Sequence, residues 1–154
     1  MSDARAAVSE AICAASLRLD DDDFEGFLAL CVPDFRYSIE AYSPEIRRDM
    51  TWLDLGRAEL EVLFRTLPRH NSDHAPLTRH VSVYTVRVDE AGQEATAVSA
   101  LQVFRTALDG GATSLFAVGK IYDALAWDGA RALLRRRRVK LATRLLGIGG
   151  HKPL

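Results

Sequence analysis

RHVSVYTVRV (79–88), EATAVSALQVFRT (94–106), TSLFAVGKIYDALAW (113–127) and RALLRRRRVKLA (131–142) are four runs in which apolar and polar residues broadly alternate. A period of two sends successive side chains to opposite faces of an extended chain, so each run is predicted as a β-strand. Between them stand Glu90-Ala91-Gly92, Asp109-Gly110-Gly111 and Asp128-Gly129. Asp-Gly beside alternating hydrophobics is a strong hairpin signal, because the tight turn needs residues that tolerate positive φ. Residues 79–142 therefore read as an antiparallel meander. Strands this long must curl or bend, and Gly119 inside the third is a candidate bend.

Upstream the period lengthens. Residues 3–19 place Ala7, Val8, Ile12, Ala15 and Leu19 near one helical stripe. Asp20–Asp23 reads as a junction in which an aspartate caps a second helix, Phe24–Leu30, stopped by Pro33. Phe35–Ile39 suits a short strand, and 40–50 a loop. Thr51–Leu67 suits a third helix, with Trp52 near its start and Leu53, Leu60, Leu63, Phe64 and Leu67 on one face, ended by Pro68. Helices gathered ahead of strands define an α+β class, here a single domain in which a strongly curved sheet wraps the helices. Residues 1–67 are mainly helical, 79–142 form the meander, and 143–154 form a docking tail.

The 154 residues carry 20 Lys+Arg against 21 Asp+Glu, a formal net charge of −1. A dedicated nucleic-acid binder is usually strongly basic, so that class is disfavoured. Seventeen of the cations are arginine, which favours bidentate pairing with carboxylates. Cys13 and Cys31 sit in apolar helical surroundings and read as free thiols. No run approaches the roughly 20 apolar residues of a membrane helix, and the opening residues lack the apolar core of a signal peptide. A soluble, cytoplasmic protein is expected. The four aspartates lack the alternating ligands and closing glutamate of a calcium loop.

The densest titratable cluster is PRHNSDHAPLTRH, 68–80. His70, Asp73, His74 and His80 could supply a two-histidine, one-carboxylate metal site. Asp73 and His74 are adjacent in a predicted loop, however, and no periodicity aims three groups at one point, so capping and charge pairing fit better. A stand-alone acid–base enzyme would draw on Asp34, Tyr37, His70 or Asp73 in a pocket at the sheet's mouth.

The fourth strand breaks the pattern. Strict alternation sends Leu133, Arg135, Arg137, Val139 and Leu141 to one face and Leu134, Arg136, Arg138 and Lys140 to the other. Arginines then protrude on both faces, and each needs a carboxylate, carbonyl or water, since an unpaired buried guanidinium costs several kcal/mol. No aromatics stand between them to stack on bases. A protein interface is the expected use of Arg135, Arg136, Arg137, Arg138 and Arg144, with His151 and Leu154 of the tail.

Leu67-Pro68-Arg69-His70, Arg79-His80-Val81-Ser82, Phe104-Arg105-Thr106, Ala117-Val118-Gly119 with Tyr122-Asp123, and Val139-x-Leu141-x-Thr143-Arg144 before Gly147–Leu154 occur in a characteristic order. That order resembles the small (beta) subunit of Rieske-type aromatic-ring-hydroxylating dioxygenases, from about Asp22 onward. Lys120, Ile121, Ala142 and Gly150 depart from the family's usual residues. The resemblance implies a ketosteroid-isomerase-like or nuclear-transport-factor-like cone, without catalytic residue, cofactor or metal of its own. It implies a partner alpha subunit carrying a Rieske iron–sulfur cluster and a mononuclear non-heme iron, in a hetero-hexamer of three alpha and three beta chains with beta–beta trimer contacts, serving aromatic catabolism. Under that reading, removing 149–154 or replacing Arg137 by alanine should weaken assembly and leave the isolated fold intact.

Overall fold

The computed structural model describes residues 2–70, 73–91, 93–144 and 153–154. The elements run α1 (Ser2–Asp20), α2 (Phe24–Ala29), β1 (Cys31–Ser43), β2 (Arg48–Gly56), α3 (Arg57–His70), β3 (Leu77–Asp89), β4 (Glu94–Thr106), β5 (Thr113–Trp127) and β6 (Ala132–Leu141). The strands form one sheet in the order β2-β1-β6-β5-β4-β3. Neighbours pair antiparallel except β1 and β6, which are parallel, so the sheet is mixed. The meander stands close to its expected boundaries; the first half of the chain differs more.

Helix α1 buries Val8, Ile12 and Leu19 together with Ala4, Ala11 and Ala15. Small side chains on that face let the helix lie close against β3 and β6 inside the curl of the sheet. Asp23 caps α2 by accepting from the Gly26 N–H at 2.9 Å, as the aspartate junction predicts. Phe24 stacks on Phe64 of α3 with ring centroids 4.3 Å apart, and Phe27 meets Phe35 and Phe64 edge-on at 6.0 Å. These rings tie the short helices to β1 at one end of the curl.

Four expectations need correction, the first being that the loop expected at 40–50 is mostly strand, since β1 runs to Ser43 and β2 begins at Arg48. Residues 51–56 are strand, not helix: β2 returns along β1 across the turn after Ser43. Met50–Leu55 fits a period of two as well as a helical one, and an exposed edge strand buries too little to mark its inward face. Trp52 is accordingly exposed rather than a helix anchor. Pro33 lies within β1, where the pairing with β6 is interrupted between Cys31 and Arg36; a missing N–H is tolerated there. Pro68 lies inside α3, which runs on to His70.

Gly119 has a different use from the expected bend. It pairs regularly with Leu101 and Leu141, and the register shifts of β4 and β5 fall elsewhere, at Val103/Phe104 and Ala124/Leu125. What Gly119 provides is close approach of backbones. A Cβ there would run into the Lys140 carbonyl oxygen and stand 2.9 Å from Leu141 Cα. Gly119→Ala is expected to cost about 1–3 kcal/mol by overpacking, because backbone cannot step aside as a side chain can. Urea denaturation measures this; an unchanged midpoint would show that β5 and β6 part freely.

Candidate functional site

The interior of the curl is organised by one cross-strand row, Tyr37 of β1, Arg137 of β6, Asp123 of β5, Ala97 of β4 and Val86 of β3. All five are buried. Arg137 is fully enclosed and grips Asp123 as a fork: Nε donates to Oδ1 at 2.8 Å and Nη2 to Oδ2 at 2.9 Å. Burial pulls the guanidinium's pKa down, but the charge and hydrogen bonds of Asp123 outweigh it, and the net shift is upward. Arg137 Nη1 has no protein partner.

Strict alternation had placed Arg137 with Leu133 and Arg135. The ladder instead pairs Leu125 with Leu134 and Ala124 with Arg136, leaving Arg135 as an extra residue. One inserted residue exchanges the two faces of a strand beyond it. Thus Leu134 is inside before the bulge, and Arg137, Val139 and Leu141 are inside after it. Arg137 is therefore core, not outer surface.

The tail ends in the same interior. The Tyr37 hydroxyl accepts from the Leu154 N–H at 2.6 Å and donates to the Leu154 backbone oxygen at 3.1 Å. Arg79 of β3 donates from Nη2 to the Pro153 oxygen at 2.6 Å and from Nη1 to Asp20 at 2.9 Å. Pro153–Leu154 thus spans from β1 to β3, strands separated in the sheet by β6, β5 and β4. Leu154 is buried by its own chain, so the expectation that it faces a partner is corrected. His151 lies outside the described residues.

Among the described residues, the candidate acid–base groups do not converge. Asp34 is exposed. Asp73 is held outside the row by Arg105, at 2.8 and 3.0 Å, and caps the Ala75 N–H. His74 is exposed, and His80, also exposed, packs edge-on against Phe104; the His70 side chain lies outside the described residues. No group of three or more His, Cys, Asp and Glu among the described residues is placed to hold a metal. Burial pushes the Cys31 thiol up to about 12, so it holds its proton and is a poor ligand.

Burial likewise pushes Tyr37 up to about 12, against the lowering effect of its hydrogen bond to Leu154. The ordinary values are 9.0 for cysteine and 10.0 for tyrosine. Between those values and about 12 the folded chain binds more protons than the unfolded chain. Their stabilisation is complete below about pH 9 and is lost as pH rises through 12. A urea midpoint that falls over this window is expected, with a shallower fall in Tyr37→Phe; parallel curves for the two proteins would contradict it.

The outer face carries the other arginines. Arg135 pairs with Glu94 at 2.9 Å, Arg138 with Glu40 at 3.2 Å, Lys140 with Asp49 at 3.5 Å and Arg36 with Asp54 at 3.0 Å. Arg144 pairs with Glu45 at 2.7 Å, and its hydrogen bond is the largest influence holding that carboxyl at about 2. Arg136 has no ion pair among the described residues. Sequence reasoning missed Asp123 and Arg79. The signal was present: an aspartate between Ile121 and Leu125 on an inward face requires a cation on the adjacent strand.

No protein-family model matches the chain. The beta subunit of methanesulfonate monooxygenase hydroxylase from Methylosulfonomonas methylovora is 45% identical over 159 residues, covering 99% of this chain and 88% of that protein. The beta subunit of 2-aminobenzenesulfonate 2,3-dioxygenase from an Alcaligenes species is 28% identical over 138 residues, covering 88% and 89%. Among solved structures, a beta subunit assigned to an aromatic-ring-hydroxylating dioxygenase of Novosphingobium aromaticivorans superposes with a TM-score of 0.83 at 22% identity, covering 98% and 97%. The fold is the cone shared with nuclear-transport-factor-like proteins.

Proposed function

The chain belongs to the family of beta subunits of ring-hydroxylating oxygenases, and on that premise we propose that it is the non-catalytic base on which catalytic alpha chains are assembled. The observation that supports this most is the state of the cone. In a stand-alone enzyme of this shape the interior is the natural pocket. Here Tyr37, Arg137 and Asp123 are engaged with one another and with Pro153–Leu154. Among the described residues, the polar groups of this row are thus spent on one another and on the chain's own backbone.

The residues described do not form a ligand set for iron or an iron–sulfur cluster. Both belong, in this reading, to the alpha chain, where the mononuclear iron and the Rieske cluster supply oxygen activation and electron delivery. Three alpha and three beta chains form the complex, in the cytoplasm. Arg135, Arg136, Arg138 and Arg144 lie on the surface that meets other chains. Both curated relatives are named for sulfonates, so the substrate class proposed is an organic sulfonate rather than an unsubstituted arene.

Co-expression with its alpha chain tests this. One complex containing equal numbers of the two chains is expected; given a reduced electron-transfer partner or a chemical reductant, it should show methanesulfonate- or benzenesulfonate-dependent oxygen consumption that the beta chain alone lacks. Turnover by the isolated chain, or failure of the two chains to co-purify, would overturn the assignment.

A further inference from the structure

Inside the cone, the Arg137 guanidinium is fully buried, Nε and Nη2 hold Asp123, and Nη1 has no protein partner. Buried polar atoms in folded proteins are met by protein or by ordered water, and a charged donor left unmet costs more than a neutral one. The geometry of the fork says where Nη1 points. Guanidinium is planar, and the two nitrogens that grip Asp123 form one edge, so Nη1 lies on the opposite edge. In the sheet, β6 lies between β5 and β1. Asp123 stands on the β5 side, which turns Nη1 to the β1 side, where Tyr37 is the direct ladder partner of Arg137.

On that side stands a clasp with spare acceptors. The Tyr37 hydroxyl accepts from the Leu154 N–H and donates to the Leu154 backbone oxygen. A hydroxyl and a backbone oxygen each have two lone pairs, so each keeps one unused by these two bonds. Tyr37 and Leu154 are enclosed like Arg137. After burial and the Leu154 hydrogen bond, the charge of Arg137 is the next influence on the Tyr37 hydroxyl, which brings the two groups within electrostatic reach. They do not bond directly, since Nη1 lacks a protein partner. Neighbouring strands are about 4.8 Å apart, and one water bridges polar atoms up to about 6 Å apart through two hydrogen bonds. An anion fits the place less well. Asp123 already balances the guanidinium, so an anion would bury a net charge.

We infer that one enclosed water sits between Arg137 Nη1 and the Tyr37–Leu154 clasp, accepting from Nη1 and donating to the Tyr37 hydroxyl and Leu154 oxygens. Three hydrogen bonds are the usual complement of a buried water. It joins the Arg137–Asp123 pair to the seat of Leu154, so that β5, β6, β1 and the end of the tail share one polar network. The site lies inside one chain, so the inference stands or falls independently of the proposed function.

A crystal structure of the full chain, at a resolution that shows ordered water, tests this directly. A water about 2.7–3.2 Å from Arg137 Nη1, and within the same range of the Tyr37 hydroxyl or the Leu154 oxygen, is expected. In solution, relaxation dispersion of water oxygen-17 counts long-lived enclosed waters. Asp123→Leu with Arg137→Met should hold one fewer than the unmodified chain, and Arg135→Ala, on the outer face, the same number. Circular dichroism checks that the paired variant is folded. Tyr37→Phe keeps the ion pair and removes one acceptor, so this water should exchange about 2- to 10-fold faster, the effect of one lost hydrogen bond. The inference is overturned if Nη1 is met by a protein oxygen or by no ordered atom, or if replacing chloride by bromide puts an anomalous peak at the position. It is equally overturned if the folded paired variant keeps every long-lived water, or if Tyr37→Phe leaves the exchange unchanged.

Discussion

Asp123→Ala is expected to lower the free energy of unfolding by about 3–5 kcal/mol, the cost of leaving a buried charge without its partner. The Arg137 guanidinium is fully enclosed, and among the described residues Asp123 is the carboxylate it hydrogen-bonds. One guanidinium nitrogen already lacks a protein partner, so losing Asp123 leaves the buried charge still less compensated. Removing both charges together should be far milder: Asp123→Leu with Arg137→Met replaces the pair by apolar volume, which is often neutral or stabilising. Arg135→Ala supplies the surface comparison. Its pair with Glu94 is about half exposed, so a change below about 1 kcal/mol is expected. Urea denaturation of the three variants measures the series. A single substitution at Asp123 no worse than Arg135→Ala would mean that water reaches Arg137.

Leu154→Ala is expected to cost about 2–5 kcal/mol, the range for truncating a fully buried leucine and leaving a cavity. Leu154 is 1% exposed and packs in the main core. Tyr37→Phe complements it by leaving the Leu154 N–H without its acceptor, at a cost of about 1–3 kcal/mol. These expectations reverse the one drawn from the sequence, in which removing 149–154 spared the isolated fold. A residue so placed supports its own chain first, and assembly falls with it. Thermal denaturation of the isolated beta chain decides between the two. An unchanged midpoint in Leu154→Ala, accompanied by loss of the complex, would return the tail to the interface.

The residues that misled are as instructive as those that did not. Met50–Leu55 carries apolar side chains that satisfy either period, and only pairing with β1 selects the strand. The arginine run conceals register for a simpler reason: four identical residues have no polar–apolar contrast, so nothing in them marks an inserted residue. The face each one takes is decided by Leu134 on one side and Val139 on the other, both fully buried, which cannot both be inside unless one position between them is extra. Asp123 settles which arginine follows them inward. Asp20, by contrast, was legible only as a possible cap; it is Asp23 that caps α2, while Asp20 reaches Arg79 across the domain. Which of four adjacent aspartates does which depends on where β3 passes.

Local chemistry alone determined the meander, its turns, the helical start of the chain and the family to which it belongs, because period, Asp-Gly turns and ordered motifs act over a few residues at a time. Tertiary structure decided the rest: the second strand, the parallel pairing of β1 with β6, the burial of Arg137, and the return of Pro153–Leu154 into the cone. Each of these depends on contacts between residues far apart in the chain, where the free energy of burying a charge or filling a cavity is set by neighbours that no local pattern specifies.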